Sequence, residues 1–362
     1  MRPAAIDATE PCAPGLVLQI HRHISPDTYG FGDTYRESPR PKVNWGDDES
    51  FSMGAEQFAC KYPPIETDPP NPDTHTFTIN SNKTIRRRFS SSNGGGGAHV
   101  VAGFYDGDKS RACLAKIYDG VSYPRRDPDE EVHDCMTLAD IDCFIEARAY
   151  GVMDPAPEVA GKLVPKYFGS WTFLVIARLD RRGATRTRWV RMILLELVPG
   201  ESVRDKIDKA TIDGKLQYDL LPDELTRLRV LQNTIEAEIA IWWHAQIGHQ
   251  DLAPRNVIVK DGNTVVIVDF NQCFIYSDMG WPDPKEKSPF PPSPITRSWG
   301  SLTWLYGKKG LVRAHLWMLK TWANPPSRKY AALHRSFLER ETHEDIPPEI
   351  LEILESLGRK NK

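Results

Sequence analysis

Three polar residues in the second half of the chain, Asp251, Asn256 and Asp269, could carry out chemistry together. Two short apolar runs separate Asn256 from Asp269, and an Asp-Gly pair stands between the runs. This pattern predicts a β-hairpin, because an Asp-Gly pair readily adopts the positive φ angles that a tight turn needs. Asn256 opens the first predicted strand and Asp269 closes the second. Their side chains should therefore meet at the open end of the hairpin.

The residue types at that point suit a metal ion and a general base. An amide oxygen and a carboxylate are hard oxygen ligands, and Mg²⁺ binds through few such groups together with substrate phosphates. Asp251 lies five residues before Asn256, where a carboxylate can accept the proton of an attacking hydroxyl group. We therefore expect a Mg²⁺ site at Asn256 and Asp269 beside a base at Asp251. The alternative is a buried polar hairpin end that binds no metal.

The N-terminal half contains residues that could bind a nucleotide. Gly94 and Gly96 precede a predicted strand that contains Val101, and glycine lets backbone amides approach phosphate oxygens closely. A second predicted strand carries Lys116 between apolar neighbours, where a buried charge needs a partner. Glu146, on the amphipathic helix predicted next along the chain, is the expected partner. A flexible glycine linker and a surface glutamate are the alternative interpretations.

Taken in order, these motifs resemble those of the protein kinase superfamily. His249-x-Asp251-Leu252-x-x-x-Asn256 is similar to the catalytic loop, and Asp269-Phe270-Asn271 is similar to the metal-binding Asp-Phe-Gly motif. The segment from Gly94 to Val101 is similar to the glycine-rich loop, and Leu114-Ala115-Lys116 to the strand that carries the phosphate-binding lysine. The resemblance spans residues 94–275, about half of the chain.

The resemblance implies an α+β fold of two lobes, with a small antiparallel β-rich N-lobe and a mainly helical, shortened C-lobe. It implies ATP and Mg²⁺ as cofactors. The cofactor-binding residues that it implies are Gly94, Gly96, Val101, Lys116, Glu196 and Val198, with the last two in the hinge that contacts adenine and Leu195 behind it. The implied catalytic residues are Asp251, Lys116, Glu146 and Arg255, and the implied metal ligands are Asn256 and Asp269.

Composition and motifs together divide the chain into three parts. Residues 1–73 are rich in proline and aspartate and predict an irregular or partly disordered segment. Residues 74–198 correspond to the kinase-like N-lobe and residues 199–362 to the C-lobe. Because the Ala-Pro-Glu motif of the activation segment is missing, we expect an abbreviated C-lobe. In this respect the chain resembles a group of atypical protein-kinase-like proteins of filamentous fungi.

Four positions depart from the kinase pattern. His99 stands in the third glycine position, where it would press on the phosphates, and Leu114 replaces the small residue under adenine. Asn271 replaces the glycine after Asp269-Phe270, and asparagine tolerates left-handed backbone conformations. Gln250 replaces the arginine that reads activation-loop phosphate in many kinases, so activation by loop phosphorylation is not expected.

Three functions remain compatible with these residues. The first is an ATP- and Mg²⁺-dependent phosphotransferase that moves the γ-phosphate to a hydroxyl group on a protein. The second is a small-molecule kinase of the aminoglycoside or choline phosphotransferase type, in fungal secondary metabolism, which the missing Ala-Pro-Glu favours. The third is a pseudokinase that binds nucleotide or scaffolds partners, which His99, Leu114 and Asn271 favour.

The overall composition indicates which partners and which cellular compartment to expect. The 362 residues carry a formal net charge of -3, which gives no reason to expect a nucleic acid or a membrane surface as partner. No apolar run reaches the roughly 18 residues of a membrane-spanning helix. We expect a cytoplasmic or nuclear protein whose six cysteines are free thiols. Ser90, after three arginines, is either a phosphorylation site or part of a solvated basic loop, and the oligomeric state stays open.

Overall fold

The computed structural model describes residues 6–7, 12–23, 43, 53–64, 74–80, 97–124, 134–178 and 185–293. Gly94, Gly96, Ser90 and the part of the expected helical C-lobe after residue 293 lie outside these ranges. The chain divides into two compact units. The first contains Met1–Pro155, Pro165–Leu197 and Phe270–Gln272, and the second contains Ala156–Val164, Val198–Asp269 and Cys273–Lys362.

The first unit is built on one antiparallel sheet that closes on itself. Its elements in chain order are β1 (Ile6–Asp7), β2 (Val17–Arg22), α1 (Ala55–Lys61), β3 (Thr74–Ile79), β4 (His99–Tyr105), β5 (Ala112–Tyr118), α2 (Cys135–Met153), β6 (Tyr167–Arg178) and β7 (Thr185–Glu196). Strands β2, β3, β4, β5, β7 and β6 pair in that order, and β6 pairs back with β2 to form a six-stranded barrel. The short β1 adds to β6 in parallel.

Apolar side chains fill the inside of the barrel. Where a strand contributes more than one residue to this interior, those residues lie two apart, which is the side-chain period of a strand. The residues of this cluster are Leu18, Ile20, Phe77, Ile79, Val101, Cys113, Ala115, Ile117, Trp171, Phe173, Val175, Val190, Met192 and Leu194. Their burial supplies the hydrophobic stabilisation of the unit.

Residues 1–73, expected to be irregular or partly disordered, contain regular elements within their described ranges. Leu18 and Ile20 are fully buried, and their strand β2 pairs with β3 on one side and β6 on the other. Helix α1 is held by Glu56, whose carboxylate accepts hydrogen bonds from Arg188 at 3.1 and 3.3 Å. The local abundance of proline and aspartate concealed these elements, because distant strands supply their partners.

Helix α2 packs against the outside of the sheet. It begins after Asp134, whose carboxylate accepts hydrogen bonds from the N–H groups of Met136 and Thr137 at 3.1 and 3.2 Å, a standard N-cap. This cap places the start of the helix at Cys135, eleven residues before Glu146. Its buried face includes Glu146, which the apolar period of the helix alone would not select.

The second unit combines a long helix with short strands. Its elements are β8 (Glu201–Ser202), α3 (Val203–Lys209), β9 (Thr211–Ile212), β10 (Lys215–Leu216), α4 (Glu224–Ala245), β11 (Ile247–Gly248), β12 (Val257–Val259), β13 (Val265–Ile267), β14 (Phe274–Ile275) and α5 (Pro284–Lys287). Helix α4 has the predicted apolar face and ends at Gln246, which adopts the left-handed conformation at φ 55°.

The predicted hairpin is present in the second unit. Strands β12 and β13 pair with Val257 opposite Ile267 and Val259 opposite Val265, and β8 adds to the other side of β12. The connection is a 3-10 turn over Asp261–Asn263 rather than a two-residue turn. Gly262 and Asn263 adopt positive φ angles, at 70° and 64°. The prediction had given these angles to Asp261 and Gly262, so Asn263 takes the conformation expected of Asp261.

Helices and strands are thus both present, and all six cysteines are free thiols, as expected. Across the ranges that the structure describes, none of the helices has the length and apolar character needed to cross a membrane.

Candidate functional site

Lys116 and Glu146 form the predicted pair in the first unit. The ammonium group of Lys116, on β5, donates a hydrogen bond to Oε2 of Glu146, on α2. Lys116 is 5% exposed and Glu146 is fully buried. Because each charge would be costly to bury alone, the pair holds the helix and the strand in one arrangement. Removing either partner would leave an uncompensated buried charge.

Two further donors reach Glu146, and sequence reasoning did not select them. The hydroxyl group of Tyr118 also donates to Oε2, and the N–H of Phe270 donates to Oε1 at 3.2 Å. Tyr118 follows Lys116 by two residues, so the strand period already placed both on one face. That spacing could have identified Tyr118 as a further neighbour of Glu146. Phe270 is fully buried and packs edge-on against Tyr150, with ring centroids 5.5 Å apart.

The pairing of β4 with β5 changes the expected role of Val101. Val101 lies opposite Ala115, inside the barrel, whereas Val100 lies opposite Lys116. Since directly paired residues of antiparallel strands share a face, Val100 is the valine on the side of Lys116. Val101 therefore lies on the opposite face of the sheet from Lys116, and its expected contact with the nucleotide stays a prediction.

The same register removes the expected clash at His99. His99 pairs with Ile117 and so lies on the opposite face of the sheet from Lys116. Its Nε2 is 2.5 Å from the hydroxyl oxygen of Ser122, which anchors the start of β4. Asn271 also behaves differently from expectation, because it has no positive φ, whereas Asp269 does.

The other residues expected to contact the nucleotide lie beside Lys116, at the end of β7 or just after it. Leu114 pairs with Leu195 on the face of Lys116, so two large side chains stand next to each other there. The N–H of Glu196 donates to the carbonyl oxygen of Lys166 at 2.9 Å. Val198 is half-buried and begins the next segment of the second unit.

In the second unit, His249 fixes the start of the loop that carries Asp251. Its Nε2 lies 2.9 Å from the carbonyl oxygen of Val268, and its Nδ1 lies 3.3 Å from the N–H of Asp251. These distances define a neutral ring that donates through Nε2 and accepts through Nδ1. Burial lowers the pKa of His249, which keeps the ring in that neutral form.

Asp251 is linked to two neighbours on the same loop. Arg255 donates from Nη2 to both carboxylate oxygens, at 2.7 and 2.5 Å. Asn256 donates from Nδ2 to the carbonyl oxygen of Asp251 at 2.8 Å and to its Oδ2 at 3.1 Å. The side chain of Asp251 is 31% exposed, so the carboxylate is oriented by the protein and still reachable from solvent.

Asn256 and Asp269 meet the requirements of a cation site in part. Asn256 is fully buried, and its Oδ1 has no hydrogen-bond partner, although a buried amide oxygen normally has one. Val268 donates its N–H to the carbonyl oxygen of Asn256 at 2.9 Å, which extends the hairpin pairing up to the residue before Asp269. The orphaned amide oxygen is a hard ligand of the kind that Mg²⁺ binds together with phosphates and water, and the carboxylate of Asp269 follows directly after the paired residue Val268.

Two residues near this point have strained backbones. Asp269 adopts φ 72° and Gln250 adopts φ 59°, in the left-handed region that costs a non-glycine residue about 1 kcal/mol or more. Within the described ranges, no cluster of three or more His, Cys, Asp or Glu side chains could hold a metal ion. A cation here would therefore depend on one carboxylate, one amide and a bound ligand.

Comparison with models of known protein families and with curated proteins found no match for this chain. The geometry of the two units is thus the basis for assigning a function.

Proposed function

We propose that this protein is a kinase-like phosphotransferase that uses ATP and Mg²⁺ to move the γ-phosphate to a hydroxyl group on a protein. The observation that carries the proposal is the arrangement around Asn256. Its amide nitrogen orients Asp251, while its amide oxygen is buried without a partner. One side chain therefore ties a candidate base to a candidate cation site.

Each unit supplies a different part of the chemistry. In the first unit, Lys116 would bind the α- and β-phosphates, with Glu146 holding its ammonium group in place. In the second unit, Asn256 and Asp269 would hold Mg²⁺, which supplies charge neutralisation for the phosphates when bound. Phosphoryl transfer depends mainly on such positioning and on electrostatic stabilisation.

Asp251 would orient the acceptor hydroxyl and accept its proton. Its carboxylate is partly exposed and is held by Arg255, whose side chain is 41% exposed. An acceptor hydroxyl can replace part of that contact, because an ion pair at this degree of exposure is weak, about 1 kcal/mol or less. Arg255 would then remain next to the transferred phosphate. This open position of Asp251 favours a protein acceptor over a small molecule.

The test is phosphate transfer from labelled ATP to casein as a generic acceptor protein, with kanamycin and choline as small acceptors. Asp251→Asn should lower the rate at least about 100-fold, since a positioned base contributes that much, and should leave ATP binding intact. Asp261→Asn, in the exposed hairpin turn, is the matched control. Full activity in the Asp251 variant would falsify the assigned mechanism, and transfer to kanamycin or choline alone would favour the small-molecule kinase.

A pseudokinase is the second candidate, and one observation favours it. Leu114 and Leu195 stand side by side on the face of Lys116, where their bulk would narrow an adenine site. Thermal unfolding with ATP and Mg²⁺ separates the candidates, because a ligand of the native state raises its stability. An increase in Tm supports nucleotide binding. An unchanged Tm at saturating ATP supports a scaffold that does not bind it.

A further inference from the structure

Glu146 has more donors than the pairing with Lys116 requires. Its carboxylate is fully buried and accepts hydrogen bonds from Lys116, from the hydroxyl of Tyr118 and from the N–H of Phe270. A buried carboxylate takes the position in which its oxygens are satisfied. The donors therefore decide where Glu146 lies, and Tyr118 has no other role in the proposed chemistry.

We propose that Tyr118 is a positioning residue, whose hydroxyl holds Glu146 in place and thereby holds the Lys116 ammonium group where it meets nucleotide phosphate. The second half of this inference rests on the proposed function. The first half, the placement of Glu146, does not depend on it, so the two can be tested separately.

The chemistry of a phenol suits this role. Lys116 and Tyr118 lie on the same face of β5 and donate to the same carboxylate oxygen. Burial, and then the nearby Glu146, raise the pKa of Tyr118 well above its usual value, so the hydroxyl remains a donor at physiological pH. Being neutral, it satisfies Glu146 without repelling the ammonium group. Its ring also lies 5.8 Å from Nζ of Lys116, within cation–π range.

Other ionisable groups near Glu146 do not take over this role. The neighbours that interact with it electrostatically include Tyr123, Cys143 and Tyr167. Burial raises the pKa of each of these three groups, so all three stay neutral at physiological pH. Lys116 is then the cationic side chain at Glu146, and Tyr118 is the neutral side chain that donates to it.

The chain offers a matched control on the same helix. Tyr123 donates its hydroxyl to Oδ2 of Asp142 at 3.0 Å, and Asp142 also belongs to α2. Tyr123 is 8% exposed and Tyr118 is 3% exposed. Replacing either tyrosine by phenylalanine removes one phenol-to-carboxylate hydrogen bond from α2, which is buried at Tyr118 and part-buried at Tyr123. Only Tyr118→Phe removes it from Glu146.

The experiment compares the full-length Tyr118→Phe and Tyr123→Phe variants by calorimetry with ATP·Mg²⁺. Tyr118→Phe should weaken binding about tenfold, the effect of a hydrogen bond to a charged group, whereas Tyr123→Phe should change it little. As the pH is lowered, the loss of ATP binding should begin at a higher pH in Tyr118→Phe than in the wild type. The reason is that a carboxylate that has lost a donor takes up a proton more readily. A packing defect would not move this profile.

Hydrogen exchange of the Phe270 amide, followed by NMR without nucleotide, tests the placement of Glu146 directly. Exchange should be faster in Tyr118→Phe and unchanged in Tyr123→Phe. If the wild type binds no ATP but this difference appears, the proposed function fails and the role of Tyr118 in placing Glu146 stands. Equal exchange in both variants and the wild type overturns the proposal.

A double-mutant cycle guards against a variant that folds poorly. Tyr118→Phe should reduce ATP affinity in the wild-type background and have almost no effect in a Glu146→Gln background, because the two changes remove the same interaction. Additive losses would show that Tyr118 acts independently of Glu146 and would overturn the proposal.

Discussion

The two polar atoms of the Asn256 side chain have different surroundings. Its nitrogen donates to Asp251 at 2.8 and 3.1 Å, and its Oδ1 is buried without a partner. An amide oxygen left in this way loses the solvation of water and gains nothing from the protein. The arrangement is therefore expected where a cation completes the site.

Asn256→Ala should weaken divalent-cation binding at least about tenfold, since even the loss of an outer-shell partner costs that much. Binding of Mn²⁺ in place of Mg²⁺, in the presence of ATP, can be followed by electron paramagnetic resonance. Asn233→Ala is the control, because Asn233 also donates its side-chain nitrogen to a backbone oxygen, that of Asn263, at 2.8 Å. Both variants should lose stability, and only Asn256→Ala should lose the cation. Equal cation affinity in both would remove Asn256 from the site.

Residue types and spacing predicted part of the site. Lys116 and Glu146 were predictable, because a strand lysine among apolar residues needs a buried partner. Tyr118 was not selected, because the resemblance assigns that position no role. The face that Val101 occupies could not be predicted, because a motif counts residues, whereas the pairing of β4 with β5 decides which face each residue occupies.

At the scale of elements, the approach of β3 to β4 leaves no room for a side chain at Gly103. A Cβ atom there would lie 2.3 Å from Cζ of Phe77 and 2.5 Å from the carbonyl oxygen of Thr78. Because the second contact is with backbone, a side-chain rotation cannot relieve both. Glycine is thus required by close approach of the two strands.

Gly103→Ala should lower the free energy of unfolding by about 1–3 kcal/mol, as overpacking does. Gly151→Ala is the control, because it lies in α2 with nothing within 4 Å of its Cβ position. That change should raise stability by up to about 1 kcal/mol, the difference in helix propensity. Urea unfolding measures both. A neutral Gly103→Ala would mean that β3 and β4 can move apart.

Elements with a local pattern were predictable, and those that depend on distant partners were not. Strand β5, helix α4 and the β12–β13 hairpin follow from hydrophobic period and turn chemistry. Strand β2 has only two fully buried side chains, Leu18 and Ile20. It forms because β3 and β6, far along the chain, supply hydrogen bonds on both sides.

At the scale of the whole molecule, buried histidines should make stability depend on pH. Burial lowers the pKa of His249, and burial followed by nearby Arg191 lowers that of His23. Both rings are neutral in the folded state and become protonated more readily after unfolding. Stability should therefore be complete above the unfolded pKa of about 6.5. As the pH falls below that value, towards the folded pKa, stability should decrease by up to about 1.4 kcal/mol per pH unit for each histidine.

Urea midpoints at a series of pH values test this expectation. His23→Gln should reduce the number of protons taken up on unfolding by about one, so the stability of this variant should fall less steeply as the pH is lowered. His244→Gln serves as control, because His244 lies 4.0 Å from Glu158 with a side chain 31% exposed. Wild-type midpoints that stay constant between about pH 7 and about pH 5 would contradict the assignment of neutral buried rings.

The return pairing of β6 with β2 has a consequence for association. An open sheet ends in strands whose unpaired N–H and C=O groups invite a strand from another chain. Each of the six strands of this barrel has a neighbour on both sides, but β6 pairs with β2 only at Trp171 and Thr172 and takes β1 at Val175 and Ile176. Strand addition, a common route to aggregation and to peptide capture, is therefore restricted to the parts of a strand that extend past its barrel partner, such as the end of β6 that β1 covers.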